Sequence, residues 1–531
     1  MIGELWRNCI FRASSLLEYL IIREIRNLMA RVVTDYLDAS AVRYGSKCAF
    51  ADENRKFTFK ELKDESCRIA ASLIQMGLFK KPVAVYLDKG VQVIAAFFGA
   101  LYSGNFYSPL DTEMPLARIQ KIMDTLEPSV VITDAAHKKE AENFCGHAEL
   151  LLLEDVSLAV PDMEKIENTV SRVIDTDILY VLFTSGSTGT PKGVVISHKA
   201  LIDFVEWGAE RFGIDDSYIF ANQTPFYFSM SVFDIYQTVR NGATTYIIPK
   251  QKFSFPALLM EYLAEKHVNT LYWVPTALSM VSILGALDSP HLNELRNVFF
   301  SGEVMPTKQL NRWLKEYPYV RYANLYGPTE LTDVCTVYEV NRFFEDTERL
   351  PMGQACRNMD VFLLNERDEL VNGHEIGEVC VRGTGLAYGY YNDPVNTKKA
   401  FVQNPLNHSY PELIYRTGDL AQWNNFGELV YISRKDFQIK HMGHRIELGE
   451  IESAVSSIDG VDSNCCLYNT KKSLIILFYT GSIDSDNLTE SLKNLLPTYM
   501  IPNRKKHLEF MPLNLNGKID RQKLKELAGI K

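Results

Sequence analysis

Short apolar runs alternate with longer stretches of helical period along most of this chain. Val83-Ala84-Val85-Tyr86-Leu87 and Ser129-Val130-Val131-Ile132 read as strands, while Phe59 to Met76 and Val91 to Leu101 space their apolar residues as amphipathic helices do. That alternation predicts an α/β fold, with layered sheets and helices. The apolar run from Ile178 to Phe183 breaks off in hydroxyls and glycines, and a second run, Val194-Val195-Ile196, resumes after Lys192; the spacing predicts strand, loop, strand. Later, the strand-like Leu429-Val430-Tyr431-Ile432 is separated from Phe437-Gln438-Ile439-Lys440 by the polar segment Ser433-Arg434-Lys435-Asp436. In the first thirty residues, Leu16 to Ile22 is too short and too interrupted for a membrane span. Leu17, Leu20, Ile21 and Leu28 would form one stripe of a helix. Two readings stand there: a chain that begins at Met29, or a helix that docks a partner. Repeats and low-complexity linkers are not found in the sequence.

Composition adds scale. At 531 residues with 46% apolar content and a mean hydropathy of −0.10, the chain can bury large cores and is expected to divide into more than one domain. A formal charge of −10 argues against nucleic-acid and anionic-membrane partners, which need clustered basic surface. Nine cysteines have no Cys-x-x-Cys spacing, and the adjacent Cys465 and Cys466 suit a buried strand better than a metal site. Reduced thiols in cytoplasm are the expectation.

The loop after Phe183 carries chemistry. Gly186 and Gly189 permit close backbone approach, so successive N–H groups can turn toward an anion. Thr184, Ser185, Ser187 and Thr188 add hydroxyls, and Lys192 adds a charge. These residues are built to hold phosphates. The common P-loop has Gly before Lys and a helix after it, whereas here Pro191 precedes Lys192 and a strand follows.

The twelve residues Leu182 to Gly193 resemble the phosphate loop of the adenylate-forming superfamily, and the resemblance extends from about residue 33 along nearly the whole chain. Phe57 to Leu62, Ala100 to Asp111, Asn324-Leu325-Tyr326-Gly327-Pro328-Thr329-Glu330, Gly377 to Gly383, Tyr415-Arg416-Thr417-Gly418-Asp419-Leu420, Arg434 to Lys440, Arg445 to Glu452, Leu496 to Pro502 and Asn516-Gly517-Lys518-Ile519-Asp520-Arg521 are similar, in order, to the core motifs of amino-acid-activating adenylation domains. The resemblance implies a large N-terminal domain (31–435), a small mobile α+β domain (436–531) hinged at Asp436, and an extension of unknown role (1–30). It implies a ligase that uses ATP and Mg²⁺, joins a carboxylate to AMP and passes the acyl group to the phosphopantetheine thiol of a separate carrier protein.

Two anions must meet in that reaction. Like unit charges at 4 Å repel by roughly 4 kcal/mol at an effective dielectric of 20, so cations have to be brought in. On the family pattern, Thr184 to Lys192 would grip the departing phosphates, Glu330 would hold Mg²⁺, and Lys518 would reach the carboxylate and the α-phosphate. Asp419 would accept from the ribose hydroxyls with Arg434 nearby. Tyr326 would face adenine, and Gly302, Glu303, Asn324, Gly327 and Thr329 would complete the nucleotide site. Gly443 would line the tunnel for the pantetheine arm.

The acid pocket departs from the relatives. Where amino-acid-activating members have Phe-Asp, with the aspartate paired to the α-ammonium, this chain has Phe228-Ser229. Either the substrate lacks an α-amino group, or another acid supplies the charge, Asp333 being the candidate, or activity is impaired. The remaining pocket positions implied by the motifs are Met230, Phe233, Tyr272, Phe299, Ser301, Leu325 and Val334. Most are bulky, so a small acid is expected. Two alternatives remain: an acyl-CoA synthetase of the same fold, against which Glu447-Leu448-Gly449-Glu450 argues because those members tend to have proline before the last glutamate, and a noncatalytic nucleotide-binding relative.

Overall fold

The structure is a computed structural model and describes residues 30–156, 160–186, 189–287, 290–346, 348–436, 438–513 and 519–530. Ser187, Thr188, Lys518 and the N-terminal stretch through Met29 lie outside the described residues.

Three sheets form the first four-fifths of the described chain. In a six-stranded sheet, Glu149–Leu152, Val130–Thr133, Pro82–Tyr86, Phe106–Leu110 and Ile178–Thr184 run parallel, and Lys192–Ser197 closes the edge antiparallel. A nine-stranded sheet is parallel at its centre, where Thr244–Ile247, Ile219–Asn222, Thr270–Trp273, Asn297–Phe300 and Arg321–Tyr326 lie side by side. A five-stranded antiparallel sheet is organised around the long strand Leu413–Trp423. The strands predicted at 83–87 and 129–132 thus appear at Pro82–Tyr86 and Val130–Thr133.

The helix Phe59–Gln75 is amphipathic as expected. It starts at a capping box in which Thr58 accepts from the Glu61 N–H and Glu61 returns the bond. The helix Val91–Tyr102 differs from expectation: it is buried on every side, not on one stripe. The physical reason is its position between one sheet and several neighbouring helices. Phe97 stacks on Tyr107 of one sheet at 4.0 Å, while Phe98 meets Tyr236, whose hydroxyl bonds that of Tyr107. An all-round apolar helix is what such a slot requires.

After Asp436, a hairpin of Gln438–His441 and His444–Glu447 precedes a three-stranded sheet, Val461–Asn469, Leu474–Gly481 and Arg504–His507, backed by the helices Leu448–Ser456 and Ser485–Lys493. This region has its own apolar cluster, including Ile446, Ile451, Leu477 and Leu488. Cys465 and Cys466 are buried in its first strand, as the sequence suggested. Among the described residues, no helix is long and apolar enough to cross a membrane.

Candidate active site

Thr184 and Lys192 stand opposite each other at the end of the antiparallel pair, so the turn between them projects from the sheet edge. A Cβ on Gly186 would lie 1.9 Å from the Thr190 carbonyl oxygen, so the tightness of the turn admits only glycine. The Gly189 N–H donates back to the Gly186 carbonyl at 3.0 Å. Thr184 Oγ1 is buried without a partner among the described residues, and a buried hydroxyl left open in this way suits a phosphate oxygen. Burial lowers the pKa of Lys192, as does the nearby Arg445, while Glu330 works the other way; the ammonium lies 5.1 Å from the Tyr390 ring centroid.

Glu330 sits on the single turn Thr329–Leu331 that follows strand Arg321–Tyr326, and it is fully buried. Its carboxylate accepts from Arg445 Nη1 at 2.6 Å and from the Tyr390 hydroxyl at 2.7 Å. Burial alone would raise its pKa; Arg445 and Lys192 overcome that and hold it at about 2. An ionised carboxylate is therefore fixed beside the loop with two cations around it. No group of three or more His, Cys, Asp or Glu gathers among the described residues. A divalent ion here would be held by one carboxylate together with phosphate oxygens, the donor set Mg²⁺ takes.

A second buried pair lies across the site. Asp419 and Arg434 are register partners on adjacent strands and bond at 2.9 Å, and the Tyr326 hydroxyl donates to the other Asp419 oxygen at 2.6 Å. Arg434 also grips both oxygens of Asp436 at 2.7 Å each. Asn324 donates to the Pro351 carbonyl.

The hairpin after Asp436 closes over these groups. The Gly443 N–H donates to Glu303 at 2.8 Å, and the other Glu303 oxygen accepts from the Thr276 N–H and hydroxyl. Ser185 Oγ donates to the Arg445 carbonyl. Lys440 Nζ stands 5.5 Å from the Tyr326 ring centroid, and Phe228 meets the His444 ring edge-on. Arg118 and Glu450, both buried, make a further ion pair across this junction.

Among the residues expected to form the acid pocket, Ser229 Oγ donates to Asp333 Oδ1 at 3.0 Å, and the Tyr272 hydroxyl donates to Asp333 Oδ2 at 2.8 Å. Thr329 reaches Ser229 at 3.4 Å. Met230, Phe233, Phe299, Ser301, Leu325 and Val334 are buried as well, with the Phe233 ring edge-on to Tyr272, and Gly302 lies beside Met230 at a φ of +90°. Asp333 comes off the same turn as Glu330, and the chain between Gly327 and Val334 packs so closely that a Cβ on Gly327 would meet the Asp333 carbonyl at 2.5 Å.

Sequence reasoning did not single out Arg445 or Tyr390, which hold Glu330, nor the Arg118–Glu450 pair. Arg445 was visible only as one letter of a motif; what it pairs with is set by how the hairpin docks. The flanks of the lysine motif, Met511 and Ile519, pack with Leu524 and Cys465 inside the C-terminal region, and Arg521 bonds Glu452 there. Lys518 itself lies outside the described residues.

A family model described as AMP-binding enzyme matches residues 37–391. The zwittermicin A synthase ZmaJ of Bacillus cereus is 32% identical over 517 residues, covering 95% of this chain and 96% of that protein. The D-alanine–D-alanyl carrier protein ligase of Bacillus licheniformis is 32% identical over 494 residues, covering 90% and 96%. Among solved structures, the Vibrio cholerae adenylation domain AlmE in complex with glycyl-adenosine-5'-phosphate superposes with a TM-score of 0.79 at 22% identity, covering 94% of this chain and 98% of that one.

Proposed function

This chain belongs to the family of AMP-binding enzymes, the ATP-dependent, AMP-forming ligases, and from that premise we propose that it activates a small amino acid as its acyl-adenylate and hands the acyl group to the pantetheine thiol of a separate carrier protein. The observation that carries the reading is the buried cluster at the phosphate loop: ionised Glu330 between Arg445 and Lys192, beside the open hydroxyl of Thr184.

The parts have distinct tasks. Thr184, the Gly186–Gly189 turn and Lys192 would bind the β and γ phosphates, neutralising charge as pyrophosphate leaves. Glu330 would hold Mg²⁺, which supplies Lewis-acid neutralisation of the phosphate oxygens when bound. Asp419, fixed by Arg434 and Tyr326, would orient the ribose hydroxyls. The residues 31–435 would act as the large domain and 436–531 as the mobile one, with Asp436 at the swivel.

The orientation in this structure suits the second half-reaction. Gly443 and its hairpin, and not the flanks of the Lys518 motif, lie against Glu303 and Glu330. Adenylation would need the small region to swing and bring Lys518 in, and an identity of 32% across nearly the full length of the carrier protein ligase supports the thiol of a carrier as the acceptor. Incubating the enzyme, ATP and a panel of small acids with labelled pyrophosphate tests the first step; offering the adenylate either free CoA or a pantetheinylated carrier tests the second. Transfer to CoA alone would refute the carrier reading in favour of an acyl-CoA synthetase.

A further inference from the structure

Among the described residues, the buried carboxylates of Glu330, Asp419 and Asp333 belong to this site, and the first two have cations. Glu330 has Arg445, and Asp419 has Arg434. Asp333, 1% exposed, has neither lysine nor arginine against it among the described residues: its oxygens are met by the hydroxyls of Ser229 and Tyr272, and the other ionisable groups that sense it, Asp234 and Tyr180, are not cationic. A carboxylate kept out of water with only neutral donors is costly to bury. The backbone is also unusual there. Thr332 and Asp333 both have positive φ, +52° and +77°, a conformation that non-glycine residues adopt at a cost, and on this turn the Asp333 carboxylate meets Ser229 and Tyr272.

Position matters as much as charge. Ser229 is only part-buried, whereas Asp333 and Tyr272 behind it are each 1% exposed. The negative charge is therefore set back from the residue that would carry it in amino-acid-activating relatives, one hydrogen bond of 3.0 Å beyond the Ser229 hydroxyl. An ammonium on the α-carbon, held next to a carboxylate undergoing adenylation, would stop short of it. An ammonium one or two carbons farther along would arrive within reach.

Resting on the adenylation reading above, we propose that Asp333 is the counter-charge for the substrate's ammonium, and that the acid is a short amino acid whose amino group lies beyond the α-carbon, on the β- or γ-carbon. The hydroxyls of Ser229 and Tyr272 hold the carboxylate in place for it. Phe233 packs edge-on against Tyr272 and Phe299, and Met230 is buried with them, so longer ω-amino acids should be refused. Burial raises the pKa of Asp333 to about 6 against the two hydroxyl donors, as fits a carboxylate whose cation arrives with the ligand.

The test is pyrophosphate exchange on the full chain with glycine, L- and D-alanine, β-alanine, 4-aminobutyrate, 3-hydroxypropionate and propionate. β-Alanine or 4-aminobutyrate should exceed every α-amino acid and every uncharged analogue in kcat/KM by on the order of tenfold or more. Asp333→Asn should raise the KM for that amino acid roughly 100-fold or more, the consequence of leaving a buried charge unpaired, with the KM for ATP measured alongside to show an intact nucleotide site. The double variant Ser229→Asp with Asp333→Asn should shift preference to α-amino acids. Preference for an α-amino acid in the unmodified enzyme overturns the displaced ammonium, and an unchanged KM in Asp333→Asn overturns the counter-charge. Exchange with none of the acids overturns the adenylation reading itself, and this inference with it.

Discussion

Arg445 reaches Glu330 at 2.6 Å across 115 positions of sequence, from the hairpin that follows Asp436. The residue expected to hold Mg²⁺ is thus the same residue that fastens the C-terminal region in its docked orientation. One carboxylate oxygen serves Arg445 and the other serves Tyr390, so a metal ion reaching this carboxylate while the hairpin is seated would have to share or displace one of these contacts.

Arg445→Ala should therefore loosen the junction and strand a buried charge. Removing one partner of a buried ion pair costs about 3–5 kcal/mol. The expected result is faster tryptic cleavage near Lys435 and a lower thermal midpoint. The pH dependence follows from Glu330, whose folded pKa of about 2 lies below its ordinary value near 4.5: the pair's contribution is complete above the ordinary value and is lost as pH falls toward 2. A difference between the unmodified protein and Arg445→Ala that persists unchanged at pH 2 would sink this account.

Mg²⁺ with ATP should compete with Arg445 for the same carboxylate. Adding both to the unmodified protein is expected to raise protease sensitivity at residues 434–437, and to change it little in Arg445→Ala. Equal protection with and without the nucleotide would show that the two do not compete.

Gly443→Ala separates the half-reactions. Its Cβ would lie 2.8 Å from Val274 Cγ1 at a backbone φ of +81°, so the hairpin cannot seat without a shift. Transfer to a pantetheinylated carrier should fall by on the order of tenfold or more, since each 1.4 kcal/mol of strain is a factor of ten. Pyrophosphate exchange, which does not need this contact, should survive. Equal loss of both would place Gly443 in the first step.

Asp333→Asn should stabilise the free enzyme while weakening it as a catalyst. The folded pKa of about 6 lies above the ordinary 3.8, so the ionised side chain destabilises the fold at pH values above 6, and the penalty disappears below about 4. Two units correspond to on the order of 3 kcal/mol. The thermal midpoint of Asp333→Asn should exceed that of the unmodified protein by a few degrees at pH 7.5 and match it near pH 4. In the unmodified enzyme, the KM for the amino acid should rise as pH drops below about 6, because a protonated Asp333 cannot pair with ammonium. A KM flat from pH 7.5 to 5 would contradict the assignment.

Much of this protein was legible in the order of its residues. Apolar runs broken by glycines and hydroxyls located the strands Ile178–Thr184 and Lys192–Ser197 and the turn between them, because strand period and glycine's tolerance of tight turns are local properties. Motif resemblance located Glu330, Asp419 and Asp333. Partnership was not local. Arg445 meets Glu330, Arg118 meets Glu450, and Asp333 stands behind Ser229 only once separate elements have packed, and charge pairing depends on distances of a few ångströms between groups more than a hundred positions apart. The helix Val91–Tyr102 makes the same point in apolar terms: its sequence allowed a one-sided helix, and only the packing of a sheet and of separate helices around it decided that every face would be buried.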